Sequence, residues 1–179
     1  MSIWFWSDTH FHHRSIIDFC SRPFSSVEEM NEAIVERWNA RVRKKEEIFF
    51  LGDFGFGKEV ATTFQRLNGR KHLIVGNHDL KQGKAVLNAG WDSVEQIKVF
   101  KDNGRRVVLC HYPIESWPSA HKGALHFHGH SHGSLKRRIP GRLDVGFEPY
   151  SNGPVALENA IKDAQEMGPN VPQDGGRED

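Results

Sequence analysis

Four histidines occupy alternate positions in the stretch HFHGHSH, residues 126–132, and histidine is a common metal ligand in proteins. Residues of similar chemistry stand in four other short segments: Asp8-Thr9-His10, Gly52-Asp53, Gly76-Asn77-His78-Asp79, and His111. Asp, Asn and His offer oxygen and nitrogen donors without any cysteine, which excludes a thiolate zinc site and favours Mn²⁺, Fe or Zn²⁺. The candidate ligands are Asp8, His10, Asp53, Asn77, His111, His130 and His132. This set is too large for one ion and indicates two ions, ~3.5–4 Å apart, that share a bridging carboxylate, as is usual in phosphoryl hydrolysis.

These segments each follow an apolar run that reads as a buried strand. The five predicted strands cover residues 3–7, 47–51, 72–75, 105–110 and 124–128. Ligands of α/β sheets bind beyond the carboxyl ends of the strands. If the strands are neighbours, the five loops meet at one site.

Helical patterns separate the early strands. Ser26 with Glu29 resembles a capping box, and apolar residues at three- and four-residue steps predict a helix from there to about residue 44. Further helices are predicted from Val60 to Gly69, over 81–89 and over 155–166. Two hairpins are predicted later, VEQIKVF with RRVVLC around Asp102-Asn103-Gly104, and LKRRI with RLDVGF around Pro140-Gly141. The chain is therefore an α/β protein with mixed strand connections.

Composition narrows the class of protein. We expect one domain over residues 1–167 and a disordered tail over 168–179, which is rich in Pro and Gly. The chain has 24 basic and 23 acidic residues, which argues against a broad nucleic-acid surface. No leader and no apolar run near 18 residues is visible, and two cysteines suit a reducing compartment. We expect a soluble, cytoplasmic protein.

The five segments, in this order from residue 8 to residue 132, resemble the calcineurin-like metallophosphoesterase superfamily. SDTHFHH, with RPF (22–24) and RWN (37–39), is further similar to its small stand-alone bacterial and phage members. The resemblance implies two packed mixed β-sheets flanked by helices, the four-layer sandwich of the metallo-dependent phosphatases. It also implies a phosphoric ester hydrolase.

The resemblance also implies a role for each ligand. One metal would be held by Asp8, His10, Asp53 and His132, and the second by Asp53, Asn77, His111 and His130. A hydroxide between the ions would attack phosphorus, and His78 would face the substrate as general acid. We expect Mn²⁺ as the metal, with Fe, Zn²⁺ or Ni²⁺ as alternatives. The substrate would be a small or nucleotide-like phosphodiester, or a phosphomonoester, and the diester is favoured.

One position departs from the family pattern. Many members carry a second Asp three residues after the bridging one, where it orients the acid histidine, and here that residue is Phe56. Asp79 or a backbone carbonyl would then orient His78, or the histidine contributes less.

Several nearby residues have two interpretations. His13 would touch the substrate phosphate, and Arg22 is either a phosphate clamp or an ordinary ion-pair residue. We expect His128 and Asp79 to orient metal ligands through hydrogen bonds, and we expect His126 to have a structural role.

Two other functions remain open. A metal-dependent nuclease would use Lys136-Arg137-Arg138 on a nucleic-acid backbone and would bind in a salt-sensitive way. A non-catalytic protein-interaction scaffold would keep the fold alone. The sequence carries no signal for oligomeric state or for the physiological substrate.

Overall fold

A computed structural model describes residues 2–82 and 84–167, with Gln82 described by its backbone alone. Its described strands are β1 (Ile3–Trp6), β2 (Glu47–Phe50), β3 (Arg70–Ile74), β4 (Ser93–Glu95), β5 (Ile97–Asp102), β6 (Arg105–Cys110), β7 (Leu125–His128), β8 (Arg142–Asp144) and β9 (Val155–Ala156). The helices are α1 (Ser15–Phe19), α2 (Val27–Arg41), α3 (Val60–Gln65), α4 (Asn77–Gln82), α5 (Lys84–Leu87) and α6 (Leu157–Glu166), with a 3₁₀ turn at Ala120–Lys122.

The strands form two mixed sheets, which confirms the predicted fold class. The first sheet has the order β4-β3-β2-β1-β9, in which only β9 runs antiparallel to its neighbour. The second has the order β5-β6-β7-β8, with β5 and β6 antiparallel and the rest parallel. The carboxyl ends of β1, β2, β3, β6 and β7 are the ends at which the predicted ligands stand.

Alternation along the strands explains how the sheets pack. On β1, Phe5 faces the second sheet and packs against Phe127, whereas Trp6 faces the helices and contacts Trp38 of α2. A strand with apolar residues on both faces is typical of a buried parallel strand. The core between the sheets joins residues such as Phe49 and Ile74 to Leu109, and the other large core lies under α2 and α3.

Local signals set the boundaries of α2 and the first hairpin. The Ser26 side chain accepts a hydrogen bond from the Glu29 amide at the start of α2, as predicted, although the helix ends at Arg41 rather than near residue 44. Asn103 and Gly104 both adopt positive φ between β5 and β6, which the primed turn of a two-residue hairpin requires.

The second predicted hairpin is wrong. Residues 135–139 form no strand, and β8 pairs in parallel with β7 instead of antiparallel with its predecessor. The Arg142 amide donates to the Ile139 carbonyl within the turn at Pro140-Gly141. The run Lys136-Arg137-Arg138 is exposed, so it has no apolar face with which to join a sheet.

Other boundaries also differ from the sequence prediction. VEQIKVF divides at Gln96, so that β4 completes the first sheet and β5 begins the second. The predicted helices over 60–69 and 155–166 are shorter than expected, because α3 ends at Gln65 and residues 155–156 form β9. In place of the helix predicted over 81–89, the structure has α4, which starts earlier at Asn77, and α5, which ends at Leu87. The sequence prediction missed α1 because five residues carry too little periodicity.

Three further expectations concern membrane spans, cellular location and domain boundaries. Within the described part of the chain, no helix is long and apolar enough to cross a membrane. Cys20 and Cys110 are free thiols, and the cytoplasmic location stays a prediction. The single domain over 1–167 also stays a prediction, and the disorder predicted for 168–179 lies outside the described residues.

Candidate metal centre

The seven predicted ligands stand at the carboxyl ends of strands from both sheets. Asp8 and His10 follow β1, Asp53 follows β2, and Asn77 follows β3, whereas His111 follows β6 and the last two histidines follow β7. Backbone hydrogen bonds join the loops: the Asp8 amide donates to Gly52 at 3.0 Å, and the His10 amide donates to Asp53 at 3.1 Å. The carboxyl ends of five strands thus form one site.

The first ligand group consists of Asp8, His10 and His132, whose ligand atoms lie within 4.8 Å of one another. Nε2 of His10 and Nε2 of His132 each lie 3.9 Å from Asp8 Oδ1. These distances are too long for hydrogen bonds, so the three atoms do not bond to one another directly. A cation among them would be in reach of all three.

The second ligand group consists of Asp53, His111 and His130, which meet the same distance condition. His111 Nε2 lies 3.5 Å from Asp53 Oδ2 and 3.2 Å from the Asn77 amide oxygen. Asp53 Oδ2 also lies 3.8 Å from His10 Nε2 of the first ligand group. One carboxylate oxygen therefore reaches both groups, as a bridging ligand must.

The residues fit a pair of divalent cations. Nε2 of His10 is buried and has no hydrogen-bond partner in the described structure, and a cation between Asp8 and Asp53 would give this nitrogen a partner. Carboxylate, amide and imidazole donors without thiolate suit Mn²⁺, Fe, Ni²⁺ or Zn²⁺. The geometry therefore brings together all seven residues that the sequence analysis predicted.

The backbone at the candidate ligands is strained. Five of the seven candidate ligands have positive φ between 49° and 67°, namely Asp8, His10, Asp53, His130 and His132. A non-glycine residue in this region costs on the order of 1–3 kcal/mol and persists where surrounding structure enforces it. The strain is concentrated at the ligands, as expected for a functional site.

Two glycines make room for the carboxylates. A Cβ on Gly76 would lie 2.3 Å from Asp53 Oδ1, and a Cβ on Gly129 would lie 2.3 Å from Asp8 Oδ2. Any side chain at either position would push the carboxylate away. The glycines that precede Asn77 and His130 in the sequence are therefore required by close packing.

The two carboxylates have different electrostatic surroundings. Burial raises the pKa of Asp8 to about 7. Burial also opposes ionisation of Asp53, but the hydrogen bond and positive charge of His111 outweigh it and lower the pKa of Asp53 to about 2. Asp53 is thus ionised at neutral pH, and cation binding beside Asp8 would release its proton.

Outer hydrogen bonds fix the rings of two ligands. His111 Nδ1 lies 2.7 Å from the Leu51 carbonyl, so it donates there and leaves Nε2 for the second ligand group. His132 Nδ1 lies 2.8 Å from the Glu148 carboxylate. His128 Nδ1 lies 2.8 Å from the Gly129 carbonyl, next to the ligand loop, whereas backbone groups of Val108 and Tyr112 hold His126, as expected of a structural residue.

Asp79 holds the backbone of the ligand loops. Its carboxylate accepts hydrogen bonds from the amides of Asp53, Phe54 and Gly76 at 2.8–2.9 Å. These bonds fix the loops after β2 and β3 behind the ligands. The alternative in which Asp79 orients His78 is therefore wrong, because its hydrogen bonds go to these amides.

His78 packs against aromatic rings instead. Its side chain is 31% exposed, and its Nε2 lies 4.0 Å from Asp53 Oδ2. The Phe56 ring lies 5.2 Å from His78 and 4.1 Å from His13, which stacks on it. Phe56 fills the position of the expected acceptor, and it positions His78 through ring contacts alone.

Arg22 lies inside the protein, so the expectation that it clamps a substrate phosphate is wrong. Its side chain is 1% exposed, and it donates hydrogen bonds to the carbonyls of Asp8 and Thr9 and to Glu148. The sequence analysis missed Glu148, which lies 126 residues from Arg22 in the chain. No local pattern in GFEPY (146–150) distinguishes this glutamate from a surface one.

Comparison with known proteins agrees with this geometry. A family model described as the calcineurin-like phosphoesterase superfamily domain matches residues 1–146. A protein of Methanocaldococcus jannaschii, named as uncharacterized, is 36% identical over 166 residues and covers 87% of each chain. The gene 66 protein of Mycobacterium phage L5 is 26% identical over 180 residues, covering 82% of this chain and 86% of its own.

Two solved structures share the fold. A protein of unknown function from Aquifex aeolicus has a TM-score of 0.72 at 24% identity, covering 90% of this chain and 98% of that one. A phosphoesterase from E. coli has a TM-score of 0.51 at 15% identity, covering 82% of this chain and 78% of its own.

Proposed function

We propose that this chain, which belongs to the calcineurin-like phosphoesterase superfamily and is a phosphoric ester hydrolase, cleaves a small or nucleotide-like phosphodiester with two divalent cations. The observation that supports two cations is the position of Asp53 Oδ2, which lies within 4 Å of nitrogens from both ligand groups. Asp8, His10, Asp53 and His132 would hold one ion, and Asp53, Asn77, His111 and His130 the other.

The cations would lower the pKa of bound water toward neutrality and neutralise charge on the phosphoryl group, and Mn²⁺ is our first choice for a ligand set of this hardness. The protein fixes the positions and the protonation of the candidate ligands before any cation binds. Asp53 is ionised without any cation, since the His111 contact lowers its pKa, so the bridging position is ready to bind. The hydrogen bond to Leu51 keeps one proton on Nδ1 of His111, so the proton that a cation would displace is the one on Nε2, which would then coordinate.

We propose that His78 donates a proton to the leaving oxygen. Its ring is partly exposed beside Asp53, where a substrate phosphate held at the centre would lie. Phe56 provides no acceptor to fix the ring or to stabilise its charge. We therefore expect good leaving groups to be cleaved well and alkoxide leaving groups to depend strongly on His78.

We also propose that His13 contacts a phosphoryl oxygen. Its Nδ1 lies 3.4 Å from Nδ1 of His10, and its ring stacks on Phe56 at the open side of the centre. This contact leaves Nε2 of His13 available to donate a hydrogen bond to substrate.

A diester substrate is favoured by the wall of the site near His130. Tyr112 is 43% exposed, and its ring lies 5.0 Å from His130 and 5.1 Å from His111. An exposed aromatic ring beside the ligands offers an apolar surface for the second organic group of a diester.

The test is Mn²⁺-dependent hydrolysis of bis-p-nitrophenyl phosphate beside p-nitrophenyl phosphate. We expect faster turnover of the diester, and its loss in Asp53→Asn. Asp18→Asn is the matched control, because that carboxylate is 76% exposed and forms its ion pair with the exposed Arg14. Faster turnover of the monoester would redirect the proposal to phosphatase substrates. A metal-loaded protein without turnover of either ester would leave the scaffold function.

The nuclease alternative has one structural feature in its favour. The exposed residues Lys136, Arg137 and Arg138 follow the candidate ligand His132 in the chain, and Arg137 forms a surface ion pair with Glu115. A nuclease should bind DNA or RNA with an affinity that falls steeply with salt. Cleavage of the small diester that does not change between 50 and 200 mM salt, without cleavage of oligonucleotides, would exclude it.

A further inference from the structure

Two residues behind the first ligand group, Arg22 and Glu148, hydrogen-bond to each other and to residues of that group, although they lie far apart in sequence. We call these two residues the outer pair. Glu148 lies just beyond residues 1–146, the part of the chain that matches the family model. The inference below concerns the metal site described above and therefore rests on the proposed function.

Glu148 controls the ring of His132. Its Oε2 lies 2.8 Å from His132 Nδ1, and the carboxylate is 17% exposed. A carboxylate accepts hydrogen bonds and cannot donate them, so it keeps the proton on Nδ1 and leaves Nε2 free. Nε2 is the nitrogen that lies 3.9 Å from Asp8 Oδ1 in the first ligand group.

A second group near His132 Nδ1 does not have this effect. The Cys20 sulfur lies 3.5 Å from the same nitrogen. A thiol is a weak hydrogen-bonding group, and this contact is longer than the 2.8 Å contact of Glu148 with the same nitrogen. Glu148 is therefore the group that sets the proton position on His132.

Arg22 holds Glu148 and the other end of the first ligand group at once. Its Nε and Nη2 lie 2.8 Å from Glu148 Oε1, and Nη2 also donates to the Asp8 carbonyl at 2.7 Å. Its Nη1 donates to the Thr9 carbonyl at 2.9 Å, and its guanidinium lies 4.1 Å from the centre of the Phe147 ring. One buried side chain thus links the loop of Asp8 and His10 to the carboxylate behind His132.

The second ligand group is built differently. Its His111 is anchored by the neutral carbonyl of Leu51, which belongs to a neighbouring strand end. Neither member of the outer pair has a hydrogen bond to Asp53, His111 or His130 among the described residues. Loss of the outer pair should therefore change one metal site and leave the other.

We infer that Glu148, anchored by Arg22, is a positioning residue that makes His132 competent to bind metal and gives the first ligand group its affinity. Glu148→Gln tests this inference sharply. Its amide oxygen would face Arg22, so its amide NH₂ would face His132 Nδ1 and donate to it. The proton of a neutral His132 would then move to Nε2, which blocks coordination.

The experiment is calorimetric titration of the metal-free full chain with Mn²⁺. The wild-type chain should bind two ions. Glu148→Gln should bind one of them 10–100-fold more weakly and the other unchanged, which is the usual effect of removing an outer partner of a ligating histidine. Two matched controls should keep both affinities: Cys20→Ala removes the other neighbour of Nδ1, and Glu115→Gln makes the same chemical change in a surface ion pair.

Nitrogen NMR of the metal-free chain above pH 8 gives a second readout. The His132 ring should carry its proton on Nδ1 in the wild type and on Nε2 in Glu148→Gln. A merely structural glutamate would lower the melting temperature without changing either this tautomer or the difference between the two affinities, and that result overturns the inference. Equal weakening of both ions also overturns it. A wild-type chain that binds no Mn²⁺ would instead overturn the proposed function.

Discussion

A methyl group added at Gly76 should disable the metal centre while leaving the backbone conformation allowed. Gly76 does not have positive φ, so alanine fits its backbone, but the new Cβ would lie 2.3 Å from Asp53 Oδ1 and 2.6 Å from the Asp53 amide nitrogen. Ordinary contacts for a Cβ begin at 3.4 Å. The Asp53 carboxylate must therefore move by about 1 Å, a displacement that costs on the order of 100-fold in rate at a catalytic site.

The same overlap has a cost in stability. Overpacking a filled interior typically costs ~1–3 kcal/mol, which lowers the melting temperature of a chain of this size by roughly 2–12 °C. We expect Gly76→Ala to fold at 20 °C, to bind Mn²⁺ more weakly in calorimetry, and to hydrolyse bis-p-nitrophenyl phosphate with kcat/KM reduced about 100-fold.

Gly123→Ala is the matched control, because at Gly123 the backbone disfavours alanine but the space for its methyl group is open. Gly123 has φ of 81°, which strains alanine, but no atom lies within 4 Å of its added Cβ. It should lose about 1 kcal/mol of stability and keep wild-type kcat/KM. Wild-type Mn²⁺ affinity and kcat/KM in Gly76→Ala would refute the reasoning, because the position of the Asp53 carboxylate would then not limit the function.

Three further predictions follow from the same structure. Mn²⁺ at about 100 times its Kd should stabilise the wild-type chain by ~2.7 kcal/mol for each occupied site, and thermal unfolding of Asp53→Asn should show much less of this gain; equal gains would contradict the bridging role. His78→Ala should lower kcat by less than about 10-fold for a p-nitrophenolate leaving group and by on the order of 100-fold or more for an alkoxide, which parallel assays of an aryl and an alkyl diester check; equal losses would argue against proton donation. Burial lowers the pKa of His126 to about 4 from an ordinary value of 6.5, so between these values the unfolded chain binds the additional proton and stability falls as pH falls. Urea unfolding at pH 7 and pH 5 should therefore show about 2 kcal/mol less loss on acidification in His126→Gln than in the wild type, and identical losses would show that His126 does not titrate in this way.

The two ligand groups are held in place by different interactions, so the two metal ions should bind with different affinities. The first ligand group depends on a buried ion pair, and removal of one member of such a pair leaves the other charge without its partner. The second depends on backbone carbonyl and amide contacts around Asp53. A chain that loads one ion more easily than the other should therefore show two separate transitions with metal concentration.

Much of the fold and most of the site were predictable because their signals are local. Apolar runs such as IWFW and EIFF form strands, and Asp-Asn-Gly forms the turn between β5 and β6, since side-chain alternation and turn chemistry act over a few residues. The meeting of the candidate ligands at one place was predictable for the same reason. Each follows a strand, and the carboxyl ends of neighbouring strands meet at one edge.

Errors arose where the partner of a segment decides its conformation. LKRRI has the composition of an edge strand, but β8 pairs with β7, and residues 135–139 form no strand beside β8. VEQIKVF reads as one strand, but its two halves pair with different sheets, so the break at Gln96 is set by tertiary packing.

The sequence alone was sufficient to select the seven candidate ligands and His78, because metal binding needs particular donor atoms and these stand at the ends of predicted strands. The tertiary structure decided what surrounds them. In the folded chain, Arg22 is buried and hydrogen-bonds to Glu148, and Asp79 accepts hydrogen bonds from amides of the ligand loops. Glu148 lies within hydrogen-bond distance of His132. Hydrogen bonds between residues more than a hundred positions apart depend on how the sheets pack, and no local pattern of residues specifies that distance.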